Sequence, residues 1–202
     1  MAGKHKLSDD NNLEIAEKML HDVTRIFDWL ALPYWLEGGT QIGIVREQRL
    51  LPWDNDMDIS IYDSHKSKLW LVVPLLMFRG YRLTLQNHQT DIGPFKKGEL
   101  KIIKIRNFAP GFKKGKVTLD VFIKRKFEDD CFWVVGIEKR VLKSTPAHYT
   151  ETLSTIDFKG KAYLIPSDYD GYLTYRYGSW REPQKEWDFR VDDQAIVEKD
   201  YE

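Results

Sequence analysis

The chain has 202 residues, of which 42% are hydrophobic and 31% charged, a composition that suits one globular domain with a core of its own. Lys+Arg and Asp+Glu both number 31, so the formal net charge is zero, which argues against a generally basic nucleic-acid binder. A single cysteine, Cys131, excludes an internal disulfide framework and a cysteine-built zinc cluster, and the five histidines lack HxxxH or HxH spacing.

The first residues are basic but are followed by no apolar stretch, so no signal peptide is expected. The apolar run from Leu69 to Phe78 is about half the length of a membrane span and carries Pro74, so no transmembrane segment is expected either. The expected setting is a reducing cytoplasm. Asp9, Asp10 or Asn11 can cap a first helix whose apolar positions Leu13, Ala16, Leu20, Val23, Phe27 and Leu30 recur in steps of three and four. Tyr34–Glu37 reads as a short strand stopping at Gly38-Gly39-Thr40. Gln41–Gln48 reads as a short helix, Met57–Tyr62 as an alternating strand, and Ser64–Arg79 as a helix ended by Gly80.

Strands are then predicted at Tyr81–Leu85, Leu100–Arg106, Val117–Ile123 and Phe132–Val135, with turns at Gly93-Pro94 and Pro110-Gly111. Asp168–Tyr177 reads as a helix, and the tail from Glu182 is polar. No repeat or linker divides the chain, so residues 1–202 are expected to form one domain with its core at about 12–180. Helix, strand, helix and then a run of strands indicate an α+β or mixed-sheet domain.

The densest acidic signal is Asp54-Asn55-Asp56-Met57-Asp58. On a strand, residues two apart share a face, which aligns Asp54, Asp56 and Asp58 against Asn55, Met57 and Ile59. Three carboxylates on one face repel, and burying them costs several kcal/mol each unless a hard cation compensates. A solvated acidic turn is the other reading. A calcium loop fails, because Ile59 stands where the turn glycine belongs and His65 where the closing Glu belongs. Gly38-Gly39-Thr40 at a helix start is either an ordinary turn or a place where backbone N–H groups meet an anion. Asp120, in Thr118-Leu119-Asp120-Val121-Phe122-Ile123, is either on the solvent side of an edge strand or a buried carboxylate that needs a partner.

A Gly-Gly turn, an Asp-x-Asp strand and a later strand Asp together form the layout of the nucleotidyltransferase (polymerase-β-like) fold. The run Glu37-Gly38-Gly39-Thr40 through Gly43 and Arg46, followed by Pro52-Trp53-Asp54-Asn55-Asp56-Met57-Asp58, strongly resembles the LicD/fukutin family. Leu119-Asp120-Val121-Phe122 and Asp168-Tyr169 through Tyr172-Leu173 to Tyr177-Gly178 look like its later elements. The resemblance runs from about Tyr34 to Trp180. Asn55 departs from an acidic residue frequent there, and Glu47-Gln48-Arg49 replaces a His-Gly-Gly-like run.

The resemblance implies a transferase that moves a substituted phosphate (phosphocholine, phosphoethanolamine or a polyol phosphate) from a CDP-linked donor to a glycan hydroxyl. Asp56, Asp58 and Asp120 would hold Mg²⁺ or Mn²⁺ and serve catalysis. Gly38, Gly39, Thr40, Arg46 and Asp54 would meet the donor, with Arg46 on a phosphate or paired with an aspartate. The alternative is nucleotidyl transfer from a nucleoside triphosphate. The aromatic group Tyr169, Tyr172, Tyr175, Tyr177 and Trp180 is either core packing or a substrate wall. Eight basic residues between Lys96 and Lys116 against one acid, and an acidic tail from Glu182, show that the zero net charge is a cancellation. The basic stretch is either a solvated face or an anion-attracting one.

Overall fold

A computed structural model describes residues 5–109 and 113–200. The turn expected at Pro110-Gly111, the side chains of Lys113, Lys114 and Asp200, and Glu202 lie outside the described residues. Helix α1 (Asn12–Trp29) buries Ala16, Met19, Leu20, Val23 and Phe27, the predicted stripe; Asn11 holds the N-cap position without a side-chain capping bond. Strand β1 (Trp35–Glu37) passes directly into α2 (Gly38–Glu47), which therefore starts at the glycines and not at Gln41. Strand β2 (Met57–Tyr62) follows. The helix expected over 64–79 is two pieces, a 3₁₀ turn at Asp63–Lys68 and then α3 (Leu69–Phe78).

Strands β3 (Tyr81–Asn87), β4 (Leu100–Ala109), β5 (Lys113–Phe127) and β6 (Asp130–Val135) stand where strands were expected, and all run longer. The Gly93-Pro94 turn is closed by a bridge between Ile92 and Phe95. Strand β7 (Arg140–Pro146), the turn α4 (His148–Glu151) and the hairpin β8 (Leu153–Phe158) and β9 (Lys161–Pro166) carried no strong apolar alternation. Helix α5 (Tyr169–Tyr177) is capped by Asp168, whose carboxylate accepts the Gly171 N–H at 2.9 Å. The polar tail is not set apart from the core: β10 (Ile196–Asp200) pairs with β7.

The main sheet runs β1-β2-β5-β6-β7-β10, with β4 also on β5 and β3 on β4. The β2–β5 pair is parallel, whereas β1–β2, β3–β4, β4–β5 and β5–β6 are antiparallel, so the sheet is mixed. Met57, Ile59, Ile61, Ile103, Ile105, Leu119, Val121 and Ile123 point to one side and form a core with α1 and with Val72 and Leu76 of α3. Residues in between, including Asp58, Lys104, Asp120 and Lys124, take the other side because strand side chains alternate. Helix α5 and the C-terminal segment cover that side only in part. They leave a cavity of about 510 Å³.

Candidate active site

The parallel register sets Asp58 directly beside Asp120, on strands about 4.8 Å apart. Both line the cavity together with Asp54 and Asp56. Since β2 begins only at Met57, Asp54 and Asp56 reach the cavity from the preceding loop and not from a strand face. Asn55, expected to face away, lines the cavity as well, because no pleat sets its direction there.

In this acidic group, burial and like charge outweigh the cations nearby. Asp120 is 4% exposed; Lys104 bridges its Oδ2, while Oδ1 is buried with no partner. Burial pushes its carboxyl up, Lys104 opposes the shift, and Asp56 adds to it. Burial likewise raises Asp58 well above the usual carboxylate range, reinforced by the charges of Asp56, Asp120 and Asp54. Among the described residues, no three His, Cys, Asp or Glu side chains converge closely enough to hold an ion as they stand. The donor set nevertheless fits a hard divalent cation: clustered carboxylate oxygens facing a cavity, one of them buried and unpartnered, with Lys104 bridging Asp120.

The glycines at the start of α2 make room for these carboxylates. Gly38 has φ +54°, and a Cβ there would lie 3.1 Å from Asp58 Oδ2. A Cβ on Gly39 would fall 2.0 Å from Asp54 Oδ2, so any other residue would force the Asp54 carboxylate to move. Asp54 thus sits against the first turn of α2, where free N–H groups favour an anion, and its Oδ1 accepts the Asn55 N–H at 2.9 Å. Thr40 is buried and absent from the cavity lining; its hydroxyl accepts the Asp58 N–H at 2.8 Å and so ties β2 to α2. Arg46 does line the cavity. It donates to Glu47 at 2.6 Å and to the Trp180 carbonyl at 2.8 Å, so its carboxylate partner is Glu47 and not an aspartate.

A second charged group, missed in the sequence, shares the cavity wall. Glu37, 3% exposed, is bridged by Lys124 at 2.6 Å and by Arg176, and accepts from Tyr172 at 2.7 Å and Ser60 at 2.8 Å. Arg176 continues to Asp193 at 2.6 Å, and Lys143 closes on Asp193 at 2.6 Å. Burial alone would raise Glu37, but Lys124 and Arg176 override it and hold the carboxyl at about 2. The same balance keeps Asp193 well below its ordinary value, and burial lowers Lys143 to about 8. One local signal was available: Lys124 follows Asp120 by four strand positions and so shares its inward face.

Tyr177 and Trp180 line the cavity, Tyr172 is fully buried beneath it, and Tyr169 and Tyr175 lie outside the lining, so the aromatic group is divided between wall and core. Of the basic stretch, Lys101 and Lys104 reach the cavity; Lys96 pairs with Asp91 at 2.9 Å and Lys116 with Asp10 at 2.8 Å. From the tail, Trp187, Phe189 and Asp193 complete the wall.

A mixed sheet with carboxylates on a parallel strand pair, opposite a glycine-led helix, defines a domain of the nucleotidyltransferase class. Residues 31–168 match the LicD/FKTN/FKRP nucleotidyltransferase domain, and the chain belongs to that family. It is 26% identical over 191 residues to the ribitol-5-phosphate transferase FKTN of Homo sapiens, covering 90% of this chain and 38% of that protein. It is 28% identical over 177 residues to the uncharacterized protein RP689 of Rickettsia prowazekii (strain Madrid E), covering 88% and 59%. The chain therefore spans about two fifths of the length of its FKTN relative. Among solved structures, ANT(2")-Ia in complex with adenylyl-2"-tobramycin aligns with a TM-score of 0.42 at 16% identity, over 77% of this chain and 75% of that one, a likeness too distant to carry an argument.

Proposed function

We propose that this domain transfers a substituted phosphate from a CDP-linked donor to a hydroxyl of a glycan, forming a phosphodiester. The observation that carries the reading is the cluster of Asp54, Asp56, Asp58 and Asp120 on the cavity wall, where burial and like charge raise Asp58 and Asp120. Similarity to a ribitol-5-phosphate transferase favours a polyol phosphate as the transferred group.

Asp56, Asp58 and Asp120 would hold Mg²⁺ or Mn²⁺, which when bound would neutralise the donor's diphosphate and polarise the phosphorus. The chain's own groups position the reactants, the main task of a protein in phosphoryl transfer. Gly38, Gly39 and Arg46 border the same space, and Tyr177 and Trp180 offer ring faces to a sugar or base. The acceptor oxygen forms a new bond to phosphorus as the bond to the bridging oxygen breaks. Cytidine monophosphate leaves, and the hydroxyl proton passes to Asp120, whose buried Oδ1 has no other partner.

The test is incubation of the purified chain with CDP-ribitol, a glycan acceptor and Mg²⁺. Release of cytidine monophosphate is expected, together with its loss in Asp58→Ala and Asp56→Ala and in excess EDTA. Unchanged turnover in both variants would remove the carboxylates from the mechanism. Pyrophosphate release from a triphosphate instead would make the chain a nucleotidyltransferase in the strict sense.

A further inference from the structure

Helix α3 is apolar on both sides. Leu69, Val72 and Leu76 enter the core, yet Trp70 is 83% exposed, Leu71 58%, Met77 61% and Phe78 90%. A helix apolar all round is ordinarily buried, so this outer face lacks a cover. Trp29, at the end of α1, is 74% exposed. It stands beside the start of α3, because Lys68 donates to the Leu30 carbonyl at 3.1 Å and also to that of Ala31.

The surroundings of this face are cationic. From Ser64 to Thr90 the chain contains no Asp or Glu. Lys66 precedes α3, Arg79 follows it, and Arg25 stands one turn before Trp29 on the exposed side of α1. Of the carboxylates near the patch, Asp28 beside Trp29 is paired with Lys161 at 2.7 Å, and Asp22, 8% exposed, faces Lys18 and, at 3.7 Å, Arg79.

We infer that the outer face of α3, with Trp29, docks onto an anionic lipid surface. Trp70, Met77, Phe78 and Trp29 enter the interface while Lys66, Arg79 and Arg25 meet lipid phosphates, the division of labour of an interfacial helix. Its ten residues are too few to span a bilayer but enough to lie along one. A second copy fits poorly, since a two-fold contact through this face would set the same cations against one another. Helices α1 and α3 cover the side of the sheet opposite Asp58 and Asp120, so docking leaves the cavity turned away from the lipid.

The experiment is co-sedimentation of the full chain with phosphatidylcholine vesicles with or without phosphatidylserine, alongside Trp70→Glu/Phe78→Glu. Wild type is expected to bind the anionic vesicles at least about tenfold better than the neutral ones, and to be released by high salt. The double variant should lose about tenfold or more in binding with an unchanged melting temperature, since both side chains are exposed. The inference is overturned if wild type stays in the supernatant with anionic vesicles, or if the double variant binds equally well. A concentration-dependent dimer that the double variant abolishes, without vesicle binding, would equally overturn it and make the face a protein contact.

Discussion

Two charged groups share one cavity wall and are built on opposite principles. Around Glu37 and Asp193, two carboxylates meet three cations, and hydrogen bonds from Tyr172 and Ser60 complete the set. Around Asp58 and Asp120, four carboxylates face the cavity and Lys104 bridges one of them. Paired charges in a low-dielectric interior hold a geometry, because moving either partner exposes the other unsatisfied. The acidic group is different: burial and like charge raise Asp58 and Asp120, so it adds little to holding the fold together. The frame fixes β1, β5, β7, α5 and the tail around the cavity, and the acidic group is what the frame presents.

The largest effect should come from breaking the frame. Arg176→Ala leaves Glu37 and Asp193 buried with one fewer cation each, and a stability loss of about 3–5 kcal/mol is expected in urea denaturation. A loss under about 1 kcal/mol would show that the network is not structural.

Acid separates the two groups by sign. The Glu37 carboxyl is lowered from 4.5 to about 2, so its stabilisation is complete above pH 4.5 and lost as pH falls through about 2. The Asp58 and Asp120 carboxyls are raised, so taking up a proton there stabilises the fold as the medium is acidified from neutrality. On acidification from neutrality, wild type should therefore gain stability relative to Asp58→Asn, and both should fall steeply between pH 4.5 and about 2. A stability difference between the two that does not change with pH would contradict the opposition between the two groups.

The smallest effect isolates the acidic group. Asp58→Asn removes one like charge while keeping the shape, and it should raise the melting temperature by roughly 2–4 °C, the equivalent of about 1 kcal/mol in a chain of this size. Transfer activity should vanish in the same variant. A melting temperature lowered by the substitution would mean that Asp58 is compensated after all.

These groups also differ in how they are written in the chain. The acidic group was legible because Asp54, Asp56 and Asp58 lie within five residues and the glycines that admit them stand just upstream. The parallel neighbour Asp120 was legible as a carboxylate out of place in an apolar strand. The frame was not, because its bonds join distant positions: Arg176 and Glu37 are 139 residues apart, and Lys143 and Asp193 are 50 apart. Asp193 sat in a tail read only as polar and acidic, although it is 2% exposed. Thr40 was expected to meet the donor, but a residue type cannot say whether a hydroxyl meets a ligand or the Asp58 N–H, and here it accepts the latter. For the fold, the helices α1 and α5 and strand β2 were strongly patterned, whereas β7 to β10 depend on partners rather than on their own alternation.

The parallel pairing of β2 with β5 has a consequence for how the protein is made. Antiparallel hairpins such as β5–β6 and β8–β9 close short loops, but Asp58 meets Asp120 only after the whole crossover through α3, β3 and β4 has been threaded between them. Such non-local contacts form slowly and late. A nascent or partly folded chain can therefore carry every one of these carboxylates and still have no site. The acidic group is then assembled only when β2 and β5 come into register.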